Sequence, residues 1–198
     1  ITKFGPEEPE CEIVKVFRNG LQTIETITDF VATKFGLPRV FTTPATKETA
    51  GLHSRPSPDM QRRDLRALKH ITIDGELARD FDDAICLEKI DSGYTLYVSI
   101  ADVSAYVHPH SEIDKEAYTR GTSIYFPGKV IPMLPEKLSN DLCSINPSQD
   151  KLAMTVQMHF NGGGRVIRQD FYASVIRSVA RFTYHEVQGA ITGERPLS

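Results

Sequence analysis

Hydrophobic residues follow two different spacings along the chain, and the first is helical. Before residue 50, apolar side chains recur every three or four positions and are followed by a Gly36-Leu37-Pro38 stop. The residues at this spacing are Leu21, Ile24, Ile27 and Val31. The pattern predicts a peripheral helical segment over about residues 1–50. The stretch that follows is rich in Thr, Ser and Pro, which predicts a linker over about residues 42–60.

From residue 70 the pattern changes to one typical of strands. Runs rich in β-branched residues predict strands at residues 70–74 and 84–90. Asp91-Ser92-Gly93 predicts a hairpin turn into a third strand at residues 94–101. A hairpin of this kind would give functional side chains a rigid platform.

Three further helices have recognisable starts. Ser111 with Asp114 marks one helix start, and Pro135 opens a second short helix. Thr183 with Glu186 forms a capping box for a final helix.

Strict alternation of apolar and polar residues over residues 152–160 predicts a half-buried strand. Its apolar side carries Leu152, Met154, Val156, Met158 and Phe160. A glycine-rich turn then leads into another strand at about residues 165–180. These elements together predict an α+β fold with a mostly antiparallel sheet and flanking helices.

Net charge and cysteine content restrict the class of protein. The net charge of −3 argues against a nucleic-acid binder, unless the acidic residues surround a divalent metal that neutralises them. No apolar run is long enough for a membrane span and the N-terminus lacks a secretory signal, so a cytoplasmic protein without a membrane partner is expected. Cys11, Cys86 and Cys143 form no CxxC pair and are interpreted as reduced thiols.

Four aspartates within ten positions form the densest chemical pattern of the chain. They are Asp74, Asp80, Asp82 and Asp83, between two predicted strands. Four unpaired carboxylates would repel one another, so a positive partner is expected. Mg²⁺ typically takes one or two carboxylates while water and substrate phosphate complete its octahedral shell. The pattern therefore favours a site for one or two such ions.

A structural calcium loop or a charged surface turn is the alternative interpretation of this stretch. A calcium loop of the EF-hand type is disfavoured because, counted from Asp80, position 6 is Ile85 rather than Gly and position 12 is Asp91 rather than Glu. The presence of Phe81 and Ala84 among the aspartates also argues against a freely solvated turn.

Four sequence blocks resemble the catalytic domain of a known enzyme family. They are RRDLRALKHITIDGELARDFDDAI, YVSIADVSAYV, YTRGTSIYFPGKVIPMLPEKLSNDLCSINP and DKLAMTVQMHFNGGGRV, in this order. Jointly, over about residues 58–198, they are similar to the start of the catalytic domain of the RNB family, the exoribonucleases of the ribonuclease II and ribonuclease R type. The resemblance implies that residues 56–198 are the N-terminal portion of that domain, truncated at its C-terminus. It also implies that residues 1–55 are a helical connecting segment that follows an OB-fold RNA-binding domain.

This resemblance implies an activity and a cofactor. It implies processive 3′-to-5′ hydrolysis of single-stranded RNA to nucleoside 5′-monophosphates with Mg²⁺, for which Mn²⁺ is a substitute. It places the metal site and the catalytic centre on Asp74, Asp80, Asp82 and Asp83, and makes Asp82 the aspartate whose loss is most damaging. Metal there would polarise the scissile phosphate, lower the pKa of a bound water and offset charge on the leaving 3′-oxygen.

Two tyrosines are expected to bind RNA. By resemblance, Tyr125 in SIYFPG stacks on RNA near the active site and influences the size of the end product, and Tyr184 in RFTYHEV lies near the 3′-terminal nucleotides. An aromatic face stacks on any base, which suits an exonuclease indifferent to sequence. Without the resemblance, a lone tyrosine is more often a core or edge residue.

Several weaker candidates have a structural interpretation that is at least as good. His108-Pro109-His110 is more often plain surface than a metal-binding pair, and His70 is more often a packed residue than a base. Asp102 ends a predicted strand and is expected to fix the loop around it, with a supporting role in the site. The residues that either contact phosphate or form a solvated basic helix face are Arg62, Arg63 and Arg66.

Two other functions are open at this point. One is a noncatalytic RNA-binding or regulatory protein on the same fold, which would be marked by loss of one or more of the four aspartates. The other is a metal-stabilised structural domain that never meets RNA. The resemblance further implies that a glutamate, an arginine near the scissile phosphate and an S1 domain belong to later parts of the family's polypeptide. The chain is therefore expected to be a fragment, and its protein partners are unknown.

Overall fold

The computed structural model describes residues 3–4, 9–10, 16, 22–54, 61–194 and 196. Its helices are α1 (Ile24–Lys34), α2 (Thr43–Ala50), α3 (Glu112–Arg120) and α4 (Tyr184–Ile191), with a 3₁₀ turn at Val103–Ala105 and a π-helix at Lys137–Leu142. Its strands are β1 (Lys3–Phe4), β2 (Pro9–Glu10), β3 (Arg63–Asp64), β4 (His70–Asp74), β5 (Asp83–Ile90), β6 (Gly93–Ala101), β7 (Ile124–Phe126), β8 (Lys129–Ile131), β9 (Asp150–Asn161) and β10 (Val166–Thr183).

Six strands form one sheet, which β10 closes on itself. The strand order is β3-β10-β4-β5-β6-β9, and β10 also pairs with β9. Because β10 is 18 residues long, its first part pairs antiparallel with β9 and its last part pairs parallel with β4. The pairings from β4 through β5 and β6 to β9 are antiparallel. The predicted α+β fold with a mostly antiparallel sheet and flanking helices is confirmed.

Polar side chains form a hydrogen-bonded series inside this sheet. Hydrogen bonds join His70 Nε2 to Ser99 Oγ over 3.1 Å, Ser99 Oγ to Thr155 Oγ1 over 2.8 Å, and Thr155 Oγ1 to Ser174 Oγ over 2.7 Å. All four side chains are buried, and their mutual hydrogen bonds offset the loss of water. Burial lowers the pKa of His70. The interpretation of this histidine as a packed residue is confirmed.

The strand predicted from alternation is present as β9, but its two sides are not buried as the pattern suggests. Met154 is 46% exposed, whereas Thr155 is 1% exposed and Ala153 is fully buried. Thr155 is on the inner side, where it is hydrogen-bonded to Ser99 and Ser174. The bulky methionine is therefore placed outside and the small residues inside.

The N-terminal part contains the predicted helix, but the predicted linker is partly wrong. α1 begins after its Thr23 cap and ends before Gly36. α2 occupies part of the predicted linker, because Thr42 caps its N-terminus and Pro44 lies in its first turn, where no amide hydrogen is needed. β1 and β2 pair antiparallel, so the helical prediction is wrong for those residues. Residues 55–60 of the predicted linker lie outside the described residues.

The predicted helix starts are confirmed. Ser111 Oγ accepts a hydrogen bond from Asp114 N, and Thr183 and Glu186 form a capping box. The helix that follows Pro135 is present, with π rather than α hydrogen bonding. Single π-helical turns are rare and occur frequently near functional sites.

Two of the three cysteines can be assessed. Cys86 and Cys143 are buried free thiols, as predicted, and Cys11 lies outside the described residues. Among the helices that the structure describes, none is long and apolar enough to cross a membrane.

A buried ion pair joins the residue before β3 to the end of β6. Arg62 Nη2 lies 2.5 Å from Asp102 Oδ2, and the two side chains are 8% and 5% exposed. Ser104 Oγ also donates to Asp102 Oδ1 over 2.5 Å. Burial acts to raise the pKa of Asp102, but the hydrogen bonds from Ser104 and Arg62 outweigh it and hold the pKa below its usual value. Asp102 therefore fixes the loop around it, as predicted.

The three arginines expected near phosphate are all engaged by protein groups. Arg62 is buried, Arg63 stacks on the Tyr172 ring with 3.8 Å between guanidinium carbon and ring centroid, and Arg66 pairs with Asp150. They lie at and around the short strand β3, so the alternative of a basic helix face is wrong. Local sequence could not show this, because Asp150 is 84 positions from Arg66.

Arg62→Met is expected to destabilise the fold by about 3–5 kcal/mol, because it leaves Asp102 buried without its counter-ion. Urea unfolding of the 198-residue chain measures the loss. Arg66→Met is the matched control, and it should cost much less because that side chain is 43% exposed. Equal losses in the two variants would mean that burial of the Arg62–Asp102 pair does not govern its contribution.

Candidate active site

The four aspartates lie where two neighbouring strands meet a loop. Asp74 is the last residue of β4, Asp83 is the first residue of β5, and Asp80 and Asp82 lie between them. Because β4 and β5 pair antiparallel, the end of one strand and the start of the next lie at the same edge of the sheet. Residues 74–83 are called the acidic loop below.

Phe81 anchors the acidic loop in the core. Its side chain is 6% exposed, its N–H donates to Ser144 Oγ over 3.1 Å, and its carbonyl accepts a hydrogen bond from Ile145 N over 2.9 Å. Ser144 Oγ in turn donates to Arg79 O over 2.9 Å. Because both the ring and the backbone of Phe81 are held, the aspartates on either side of it have a fixed support.

The four carboxylates are close enough to repel one another. Partial burial and the nearby Asp83 raise the pKa of Asp74, with an opposing effect of Arg181 and a further rise from Asp80. Asp82 is exposed to solvent, and desolvation of its carboxyl by the surrounding protein, followed by the charges of Asp80, Asp83 and Asp74, raises its pKa. Oδ2 of Asp74 is buried and has no hydrogen-bond partner. A bound cation would relieve both the repulsion and the unpartnered oxygen.

The carboxylates do not form a finished ligand set. Across residues 22–54 and 61–194, no three His, Cys, Asp or Glu side chains are arranged so that they could hold a metal ion. The four carboxylates therefore affect one another electrostatically but do not have the geometry of metal ligands. Unneutralised carboxylates repel one another, which opposes closer approach. Four carboxylates with one orphaned buried oxygen nevertheless fit the chemistry of a hard divalent cation.

Tyr125 lies at the acidic loop. It belongs to the β7–β8 hairpin and donates its hydroxyl hydrogen to Asp80 Oδ2 over 2.6 Å. This hydrogen bond, with partial burial and the charges of Asp80 and Asp82, raises the pKa of Tyr125 to about 12. The side chain is 64% exposed, so the ring is available for stacking.

Tyr184 is brought near Asp74 by the sheet. It is the first residue of α4 and directly follows Thr183, which pairs with Asp74 in the register of β10 and β4. Its side chain is 63% exposed. Both tyrosines that were expected to bind RNA thus lie near the acidic loop, and their contact with RNA stays a prediction.

The histidine pair of the sequence adds nothing to this site. His108 and His110 are exposed residues of a turn and belong to no metal-binding group among the residues that are described. The surface interpretation is the better one for both.

Arg181 is a site residue that sequence analysis misses. Its Nη2 donates to Gly75 O over 2.7 Å and to Glu76 O over 2.9 Å, the two carbonyls that follow Asp74. Its guanidinium carbon lies 5.1 Å from the centroid of the Phe81 ring. Arg181 and Gly75 are 106 positions apart, and no motif or spacing connects them.

The chain is similar in sequence to known proteins. The family model described as RNB domain matches residues 62–197. Ribonuclease R of Aquifex aeolicus (strain VF5) is 44% identical over the whole chain, which covers 28% of that protein. Ribonuclease R of Escherichia coli (strain K12) is 43% identical over 94% of the chain, which covers 23% of that protein. The chain thus spans about a quarter of the length of these relatives.

Solved structures are also similar to this chain. Mycoplasma genitalium RNase R in complex with double-stranded RNA has a TM-score of 0.85 and 33% identity, over 89% of this chain and 32% of that one. Yeast Ssd1, a pseudonuclease, has a TM-score of 0.66 at 18% identity, over 74% of this chain and 18% of that one, which shows the fold alone. With an RNB model that matches residues 62–197 and ribonuclease R relatives above 40% identity, the chain belongs to the RNB family.

Proposed function

We propose that the chain is part of a 3′-to-5′ exoribonuclease that processively hydrolyses single-stranded RNA to nucleoside 5′-monophosphates. The observation that carries the proposal is the clustering of Asp74, Asp80, Asp82 and Asp83 at one edge of the sheet, with an unpartnered buried oxygen on Asp74. Membership of the RNB family and similarity to ribonuclease R support it.

The four aspartates are proposed to be catalytic and to hold Mg²⁺, with Mn²⁺ as a substitute. When bound, the metal supplies polarisation of the scissile phosphate, a more acidic water and stabilisation of the leaving 3′-oxygen. The chain's own contribution is placement: β4 and β5 position Asp74 and Asp83, and Phe81 supports the aspartates between them. Carboxylate oxygens are the protein ligands that Mg²⁺ prefers.

Single-stranded RNA is proposed to stack on Tyr125 and Tyr184. Both side chains are exposed, Tyr125 binds Asp80 of the acidic loop, and Tyr184 follows the residue that pairs with Asp74. An aromatic face accepts any base. Neutralisation of the aspartates by metal would also remove the charge that otherwise repels the phosphate backbone.

A noncatalytic RNA-binding or regulatory role is the second candidate. The fold does not distinguish the two roles, because a pseudonuclease shares it. The four aspartates favour catalysis, since a protein that only binds RNA gains nothing from concentrated negative charge beside a phosphate backbone.

A domain organisation and a cellular location are also proposed. Residues 1–55 are taken as the segment that connects an OB-fold RNA-binding domain to the catalytic domain, and residues 56–198 as the N-terminal portion of that catalytic domain. The RNB match, which begins at residue 62, supports this boundary. A cytoplasmic location agrees with the free thiols Cys86 and Cys143.

Asp82→Asn is expected to raise the melting temperature of the metal-free 198-residue chain near neutral pH. Desolvation and the neighbouring carboxylates hold the pKa of Asp82 above its ordinary value of 3.8, so its ionised form opposes folding. The gain should shrink as the pH falls through the raised pKa, because the wild-type carboxyl is then protonated as well. Thermal unfolding followed by circular dichroism at several pH values measures it.

The Asp82→Asn variant also tests whether a divalent metal binds at the acidic loop. Mg²⁺ or Mn²⁺ should raise the melting temperature of the wild-type chain by linkage, and Asp82→Asn should weaken that rise. Asp91→Asn, in the exposed turn between β5 and β6, is the control and should respond to metal like the wild type. A metal response of Asp82→Asn equal to that of the wild type would place the ion elsewhere.

Tyr125→Ala in the full-length enzyme is expected to lengthen the final undigested oligonucleotide more than it slows hydrolysis, because a stacking ring grips substrate and does not activate water. Tyr125→Phe keeps the ring but loses the hydrogen bond to Asp80, so it should leave the end-product length unchanged. Tyr118→Ala, which removes an 89% exposed tyrosine from α3, is the control. Gel analysis of labelled single-stranded RNA gives both readouts, and an unchanged end product in Tyr125→Ala would remove this residue from the RNA path.

The 198-residue chain alone is expected to show little or no exonuclease activity and weak RNA affinity. Positioning of the scissile phosphate and stabilisation of its developing charge supply much of the rate in phosphate chemistry, and the resemblance assigns the arginine that does this to a later part of the domain. Incubation of the purified chain with Mg²⁺ and labelled single-stranded RNA measures the activity. Release of mononucleotides at the rate of an intact family member would contradict the expectation.

A further inference from the structure

Arg181 contacts both ends of the acidic loop. Two of its hydrogen bonds go to the carbonyls of Gly75 and Glu76, directly after Asp74. Its guanidinium also lies against the ring of Phe81, between Asp80 and Asp82 in the sequence. One planar cation therefore joins the beginning of the loop to the residue that anchors its end.

The arginine is itself held in place. Its backbone lies in β10 opposite Thr72 of β4, which fixes where the side chain starts. Its Nε is buried and has no hydrogen-bond partner, so the guanidinium is bound to the protein through Nη2. The hydrogen bonds donated by Nη2 go to backbone carbonyls and not to carboxylates, so they fix the path of the main chain. A second contact supports the same turn, since Ala78 N donates to Gly75 O over 3.1 Å.

We propose that Arg181 is a positioning residue that holds the backbone after Asp74 against Phe81, and so keeps Asp74 beside the segment that carries Asp80, Asp82 and Asp83 when a divalent cation binds. The inference rests on the proposed metal-assisted function, and it adds the residue that prepares the site for the ion. Arg181 acts through the backbone and the Phe81 ring, and it is not itself a ligand, because a guanidinium has no acceptor.

The charge of Arg181 and its role in positioning the loop predict opposite changes in cation affinity when the arginine is removed. Arg181 is a positive group within electrostatic range of Asp74, so its loss by charge alone would strengthen binding of a cation. Its loss as a positioning residue would weaken binding, because the carboxylates lose their mutual placement. The sign of the change therefore separates the two roles.

Calorimetric titration of the 198-residue chain with Mn²⁺ tests the proposal, at a temperature where circular dichroism shows each variant to be folded. Arg181→Met should bind Mn²⁺ about 10- to 100-fold more weakly, the range found when groups that orient metal ligands are removed. Arg181→Lys should also bind more weakly, because an ammonium keeps the charge but lacks the planar fork. Arg177→Met, which removes an exposed arginine from the same strand, should bind like the wild type. Unchanged or tighter binding in Arg181→Met overturns the proposal.

Amide hydrogen exchange gives a second readout that needs no metal. Arg181→Met should lose protection at Ala78 and Phe81, while Thr155 in β9 keeps its protection. Unchanged exchange in the loop, or a uniform loss across the whole sheet, overturns the proposal. If the wild-type chain binds no Mn²⁺, the proposed metal-assisted function fails, and the exchange result still decides whether Arg181 positions the loop. Arg181→Lys serves in its place if Arg181→Met does not fold.

Discussion

The double pairing of β10 is the constraint on which the site depends. Residues 166–177 pair with β9, and residues 178–183 pair with β4, with a shift of register between Ser178 and Ala180. The strand therefore closes the sheet and at the same time carries its own last residues to the end of β4. Thr183 comes to lie opposite Asp74, which brings Arg181 and Tyr184 to the acidic loop. Without this closure, these residues would have no reason to be near the four aspartates.

Repulsion among the carboxylates disfavours the folded state, and contacts in the surrounding structure offset it. Desolvation and like charge raise the pKa values of Asp74 and Asp82, so the ionised carboxylates oppose folding. Several of the contacts that hold the loop against this repulsion do not use the carboxylates, namely those of the backbone and ring of Phe81 and of the two carbonyls bound by Arg181. A charge-rich functional loop on a stable support is a common division between function and stability.

The polar interior of the closed sheet provides that support. The hydrogen-bonded series His70, Ser99, Thr155 and Ser174 connects β4, β6, β9 and β10. Hydrogen bonds are directional, so they fix the register of these strands more narrowly than aliphatic packing alone. His70 begins the strand that Asp74 ends, and register errors in β4 would displace the first aspartate of the site.

Local sequence was sufficient wherever the interacting residues are neighbours in the chain. The Thr183–Glu186 capping box, the turn before Gly93 and the concentration of four aspartates all involve groups a few positions apart, so their patterns are visible without a fold. The resemblance to the RNB family likewise follows from the order of residues. The burial of Thr155 in place of Met154 and the buried partner of Arg62 could not be predicted, because each depends on sheet closure or on a residue distant in the sequence.

In the acidic site, too, some properties follow from the sequence and others only from the fold. Its residue types determine that a hard cation would be favoured there, since carboxylate chemistry belongs to the side chains themselves. How near the carboxylates lie to one another is a balance of repulsion, burial and the hold of Arg181 and Tyr125 on the loop. Those contacts join residues brought together by the folded chain, 106 positions apart for Arg181 and Gly75 and 45 for Tyr125 and Asp80. Only the three-dimensional arrangement could set that balance, because electrostatic and hydrogen-bond energies depend on distance in space and not on separation along the chain.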